Sequence, residues 1–241
     1  MPYVHSAEDG GRALRDPTIA LGGFTLALLA GYVNASLLSF YDVPVSHMSG
    51  AITRLGMDLG LGLSSELAAL GSIIGSFFLG AILSGVIIGR DQLRPGYRYG
   101  VVLGLESAAL LAAAVLLNAQ RPAGIYCATL ACGMQNAMAS SYYGLIIRTT
   151  HMTGIVTDLG ALLGHALRHR QVDGWKFLFL GLILGGFTSG ALASVVLNRF
   201  FVEVFSSRLY PAAGFCALIA VAQVSWTSIA RRSVVSAKSQ R

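Results

Sequence analysis

The sequence predicts an all-α integral membrane protein: six transmembrane helices plus two short non-spanning helices, arranged as two inverted three-span repeats. Three observations predict it. The chain of 241 residues is 54% hydrophobic and only 12% charged, whereas soluble domains run near 25% charged. Six apolar stretches reach the roughly twenty residues that a helix needs to cross a bilayer core. An ordered series of motifs occurs twice, once in each half of the chain.

The first eighteen residues are polar, with Glu8, Asp9, Arg12, Arg15 and Asp16. They lack the apolar core and small-residue cleavage site of a signal peptide, so residues 1–18 read as a cytoplasmic segment before a retained span. The apolar stretches lie at about 19–41, 66–89, 98–118, 122–147, 174–198 and 208–230. Together they make one membrane domain, 19–230, with repeat one at about 19–118 and repeat two at about 122–230. A basic cytoplasmic tail, 231–241, follows. Two weaker segments, about 48–63 and 152–168, are shorter and rich in Gly or polar residues. They read as non-spanning helices, re-entrant or interfacial.

Charge distribution favours six crossings over eight. With the N-terminus inside, Arg12, Arg15, Arg90, Arg94, Arg98, Arg148, Arg168, Arg170, Lys176, Arg231, Arg232, Lys238 and Arg241 face inward. Only Arg54, Arg121, Arg199 and Arg208 face outward. This split follows the positive-inside rule, and counting the weak segments as spans erodes it. The formal charge of +6 is therefore a topology signal. No basic block interleaved with aromatics points to nucleic acid. Cys127, Cys132 and Cys216 all fall in apolar stretches and read as packing residues.

The repeat pairs Gly31-Tyr32-Val33-Asn34-Ala35 with Gly133-Met134-Gln135-Asn136-Ala137. It then pairs His47-Met48-Ser49-Gly50 with His151-Met152-Thr153-Gly154, and Leu55-Gly56 with Leu159-Gly160. Gly80-Ala81 is echoed by Gly190-Ala191. Three spans per half is an odd number, so the halves insert in opposite senses, as in secondary transporters. Glycines four apart, at Gly71/Gly75, Gly96/Gly100/Gly104, Gly181/Gly185 and Gly186/Gly190, let helices approach closely in lipid. Internal packing is their expected use, with a homodimer contact as the alternative.

Chemistry concentrates at these motifs. Ser49 and Thr153 are expected to cap the short helices, whose N-termini are suited to hold an anion. His47 and His151 change charge near neutral pH, yet read first as hydrogen-bonding anchors. Arg54 and Asp158 stand equally far beyond the two histidines, and the sequence suggests that they meet across the repeat axis, with Asp58 as the local competitor for Arg54. Glu106 sits mid-span, where an ionisable group is a functional candidate by default: held protonated, or accepting a proton during transport. Asn34, Gln135, Asn136 and Gln223 either bind a solute or join helices. No metal-ligand spacing, cofactor motif or hydrolase motif is present, so neither enzyme chemistry nor a bound cofactor is expected.

The same residues resemble the YoaK-type family of small bacterial inner-membrane proteins of unknown function. The likeness covers about 19–230 and is most specific at Arg148-Thr149-Thr150-His151-Met152-Thr153-Gly154 with Thr157-Asp158-Leu159-Gly160. It implies an inner-membrane location and a transporter-like bundle, distantly related to half of a major facilitator, and names no substrate. The family often carries Asp at the position of Asn34 and Asn at that of Ala51. The expected function is thus a small secondary transporter of a small solute or ion. A non-transporting membrane scaffold or partner subunit, or a channel, is the alternative.

Overall fold

The computed structural model describes residues 17–41, 46–62, 64–89, 96–140, 149–170, 173–201 and 208–239. The segment before residue 17, residues 42–45 with Pro44, Arg90, Arg94, Arg148 and the end of the fourth predicted stretch lie outside the described residues.

The described residues form eight helices and no strand: α1 (Pro17–Tyr41), α2 (Met48–Leu61), α3 (Ser64–Ile88), α4 (Tyr97–Asn118), α5 (Ala123–Ser140), α6 (Met152–His169), α7 (Gly174–Phe201) and α8 (Tyr210–Ser239). Pro17 opens α1 at the first helical position, where its missing N–H costs nothing. Gly62 ends α2 in the left-handed region at φ 68°, its N–H returning to the Asp58 and Leu59 carbonyls, a glycine-specific stop. Gly89, after α3, is left-handed too, at φ 71°. The sixth stretch, expected to end near 230, runs on to Ser239. No Gly or Pro interrupts α8 after Gly214, and Ala, Arg and Lys favour helix.

Five helices are long and apolar enough to cross a membrane: α1, α3, α4, α7 and α8. They make the chain a multi-pass membrane protein. The fourth predicted stretch, α5, is not among them. Its described part has 18 residues and carries Thr129, Gln135, Asn136 and Ser140. Most of its residues are buried, so it has little need of a lipid-compatible surface. By contrast α3 and α7 are largely exposed, presenting Phe78, Leu79, Ile82, Leu178, Leu192 and Val195 outward.

The dominant packing joins the first half of the chain to the second: α1 with α7, α3 with α5, and α4 with both α5 and α8. The backbones touch at glycines in matched pairs. A Cβ on Gly31 would strike the Phe187 carbonyl oxygen of α7, and one on Gly190 the Leu28 carbonyl of α1. At the other crossing, Gly133 of α5 faces the Phe77 carbonyl of α3, and Gly80 of α3 faces the Leu130 carbonyl of α5. α1 and α7 run parallel, since Gly23 meets Ile183 near their starts and the Ser36 and Ser194 hydroxyls bond at 2.8 Å further along. α4 and α8 run antiparallel, with Gly100 against Val224 and the Ser107 hydroxyl on the Ala213 carbonyl at 2.8 Å.

The four-residue glycine spacings divide by use. Gly100, Gly186 and Gly190 pack internally, whereas Gly71, Gly75, Gly181 and Gly185 have open space where a Cβ would stand. The internal role expected for these last four is not seen. The crossings are made one to two turns further along α3 and α7, at Gly80 and Gly190.

Candidate functional site

Two polar knots fasten the approaches to the short helices onto the two central helices. Asn34, buried in α1, accepts through Oδ1 a hydrogen bond from the Ser46 hydroxyl at 2.7 Å. Asn136, buried in α5, accepts from the Thr150 hydroxyl at 2.8 Å. Each Asn belongs to the Gly-x-x-Asn-Ala motif, and each hydroxyl residue directly precedes the motif histidine. Asn136 also donates to the Cys132 carbonyl at 3.0 Å. Its neighbour Gln135 donates to the Leu26 carbonyl of α1 at 2.6 Å, tying the central helices together. All three amides are thus engaged in holding helices. Asn34→Ala or Asn136→Ala leaves a buried hydroxyl without its acceptor and should destabilise the protein by about 1–3 kcal/mol. Equilibrium unfolding in detergent reads this directly.

His47 and His151 occupy the N-cap positions of α2 and α6, and neither caps through its side chain. Their carbonyls receive the first-turn N–H groups, Gly50 at 3.0 Å and Ile155 at 3.2 Å. The capping expected of Ser49 and Thr153 is therefore not made. Helix begins at the methionine before each of them, which places both inside the first turn. The hydroxyls upstream, at Ser46 and Thr150, are committed to the asparagines. His151 lies over Gly154, where a Cβ would meet its ring, while Gly50 is open.

The cross-axis pairing suggested for Arg54 and Asp158 is not made. Both are exposed. α2 packs on α3 and α6 on α7, and the two short helices do not touch each other. Asp58 is buried on α2, and its Oδ2 has no hydrogen-bond partner among the described residues. Glu106, 1% exposed, lies where α4 crosses α8, beside Cys216 and Cys132. Its Oε2 likewise lacks a hydrogen-bond partner among the described residues. No group of three or more His, Cys, Asp or Glu able to hold a metal gathers among the described residues.

A cavity of about 610 Å³ opens between α1, α4 and α8. Thr18, Gly22 and Thr25 line it from α1, Tyr99 and Leu103 from α4, and Met138 from α5. Gln223 and Trp226 close it from α8. The lining lies at the start of α1, the start of α4 and the middle of α8, which the packing brings together toward one end of the bundle. At the other end, α4 and α5 are closely packed around Gly124. Gly22 stands nine residues before Gly31, as Gly124 stands nine before Gly133. Yet Gly22 faces the cavity, whereas a Cβ on Gly124 would come within 2.9 Å of the Ala113 carbonyl oxygen.

None of Asn34, His47, Ser49, Arg54, Asp58, Glu106, Gln135, Asn136, His151, Thr153 and Asp158 lines this cavity. Gln223, noted in the sequence only as an amide within a span, does. Thr18, Thr25, Tyr99 and Trp226 were not singled out. The available signal was Leu218, Ala222 and Trp226 standing four apart on one face of α8.

A family described as a protein of unknown function, DUF1275, matches residues 22–222. The chain belongs to DUF1275. The DUF1275 match takes in both knots, both glycine crossings and Glu106. Four cavity positions, Thr18, Leu21, Gln223 and Trp226, fall outside it. No curated protein and no solved structure matches the chain.

Proposed function

We propose that this DUF1275 protein is a small secondary transporter working by alternating access between inverted halves. The observation that carries the reading is the inequality of the two seams: a cavity between α1 and α8 at one end, and tight packing between α4 and α5 at the other. Exchange of these two arrangements carries the cavity from one side of the membrane to the other.

Six crossings with α2 and α6 non-spanning agree with the packing directions. A spanning α6 between α4 and α8 reverses their relative sense, and they run antiparallel. The matched glycine crossings and matched Asn knots support an inverted duplication, and the YoaK-type likeness fits the same scheme. With the N-terminus cytoplasmic, as the positive-inside rule favours, the cavity opens to the cytoplasm of a bacterial inner membrane. The outward glycines at Gly71/Gly75 and Gly181/Gly185 offer a homodimer contact.

One observation favours a second reading, a non-transporting membrane module: Asn34, Asn136 and Glu106 are packed away from the cavity. The turn joining α4 to α5 also gives a rival account of that tight packing, as a fixed hairpin. Side-specific labelling separates the readings. In a cysteine-free background, Thr25→Cys is expected to react with a membrane-impermeant maleimide from the cytoplasmic side. Ala113→Cys is expected to react from the outer side in a fraction of molecules, and that fraction should fall when the cavity is held open. An Ala113→Cys that never reacts, together with no uptake of any solute by proteoliposomes, sinks transport.

A further inference from the structure

We infer that the cavity between α1, α4 and α8 is a binding site for an uncharged small molecule with an apolar body and one hydrogen-bonding group, which it orients with Gln223. The inference deepens the transport reading by naming a substrate class, and rests on it for the solute's passage but not for its binding.

Three observations carry it. No Asp, Glu, Lys, Arg or His stands among the described residues of the lining, which is mainly aliphatic and aromatic. A charged solute entering such a site would lose its hydration and find no counter-charge. The volume, about 610 Å³, falls in the range of pockets for small organic ligands, roughly 300–1,000 Å³, and is far larger than a bare ion needs. The Gln223 side chain is half-buried at the wall and makes no hydrogen bond to a described side chain or backbone group. Its amide therefore has both a donor and an acceptor to offer. The Thr25 hydroxyl, by contrast, is spent on the Leu21 carbonyl at 2.8 Å. Trp226, on the same face of α8, supplies a flat apolar wall with a polar edge.

Trp226 also provides the readout. The chain has two tryptophans, so Trp175→Phe leaves Trp226 as the sole donor for energy transfer. The full-length variant in lipid nanodiscs is titrated with N-phenyl-1-naphthylamine, which is neutral. A parallel titration uses 1-anilinonaphthalene-8-sulfonate, the same aromatic amine skeleton bearing one negative charge. Protein-free nanodiscs give the background from lipid partitioning.

The expected result is saturable quenching of Trp226 by the neutral probe, and affinity for the anionic probe at least about tenfold weaker. Ala222→Phe, which fills the cavity, removes the saturable phase. Gln223→Leu weakens binding by about threefold to tenfold, the loss of one hydrogen bond. Both variants are checked for unchanged thermal unfolding, and Gln223→Leu serves alone if Ala222→Phe fails to fold. Equal or tighter binding of the anionic probe overturns the substrate class. Quenching that rises linearly without saturation and ignores both substitutions overturns the site and assigns the cavity to lipid chains. Saturable binding without uptake leaves this inference standing and overturns only transport.

Discussion

Gly31→Ala and Gly133→Ala should each destabilise the protein by about 1–3 kcal/mol, the usual cost of overpacking, and by amounts that match each other. The reason is geometric. At both crossings the partner helix presents a backbone carbonyl, Phe187 or Phe77, where the new methyl would stand. A flexible side chain could rotate away from that methyl, whereas a backbone carbonyl moves only if the whole helix shifts. The shift in turn loosens Gly190 against Leu28 and Gly80 against Leu130, the second contact of each crossing. Gly71→Ala and Gly181→Ala are the controls. Both sites are open, so these variants should stay within about 0.5 kcal/mol of the parent and even gain from better helix propensity. Unfolding in mixed micelles at increasing denaturing detergent measures all four. A large difference between Gly31→Ala and Gly133→Ala would show that the two crossings are not equivalent.

Glu106 carries the second large effect. Its side chain is buried between α4 and α8 without a cation beside it among the described residues, and Oε2 has no hydrogen-bond partner there. An ionised carboxylate without a counter-charge is expensive at such a site. Glu106→Gln keeps the shape and removes the ability to ionise. The fold should therefore survive with unfolding shifted by no more than about 1 kcal/mol. If Glu106 exchanges a proton during the cycle, uptake driven by a pH gradient should fall by two orders of magnitude or more in the variant, while counterflow exchange persists. Loss of both activities with an intact fold would instead assign Glu106 to holding α4 on α8.

The membrane class and all eight helices were legible because apolar length, glycine stops and the short polar helices are local properties of the chain. The surroundings of α5 were harder to read: its polar groups left solute binding and helix joining equally open, and Thr129, Gln135 and Asn136 are enclosed by neighbouring helices. The candidate site was legible in part. The repeat located Asn34, Asn136 and the motif histidines, and these do form matched structures. Their roles were not readable, because the partner of Asn34 is Ser46 and that of Asn136 is Thr150. Which hydroxyl an amide reaches depends on how the intervening backbone returns. Ser49 and Thr153 looked like caps for the same reason: the cap position falls two residues earlier, at His47 and His151, directly after the hydroxyls held by the asparagines. The cavity was not legible. Its walls come from four helices, and none of its described residues carries the charge that draws attention in an apolar sequence.

The interlocking of α1 with α7 has a consequence for biogenesis. A nascent chain emerges N-terminus first, so residues 17–41 enter the bilayer long before residues 174–201 exist to receive them. Until then the Gly31 face of α1 meets lipid or an insertion chaperone, not its eventual neighbour, the Phe187 carbonyl of α7. Neither half can close a bundle of its own, because each crossing that brings backbones together takes one helix from either half. Assembly is therefore late: the α1–α7 crossing waits for the penultimate long helix, and the α4–α8 packing for the last. A chain truncated before α7 would be expected to remain an open, degradable intermediate.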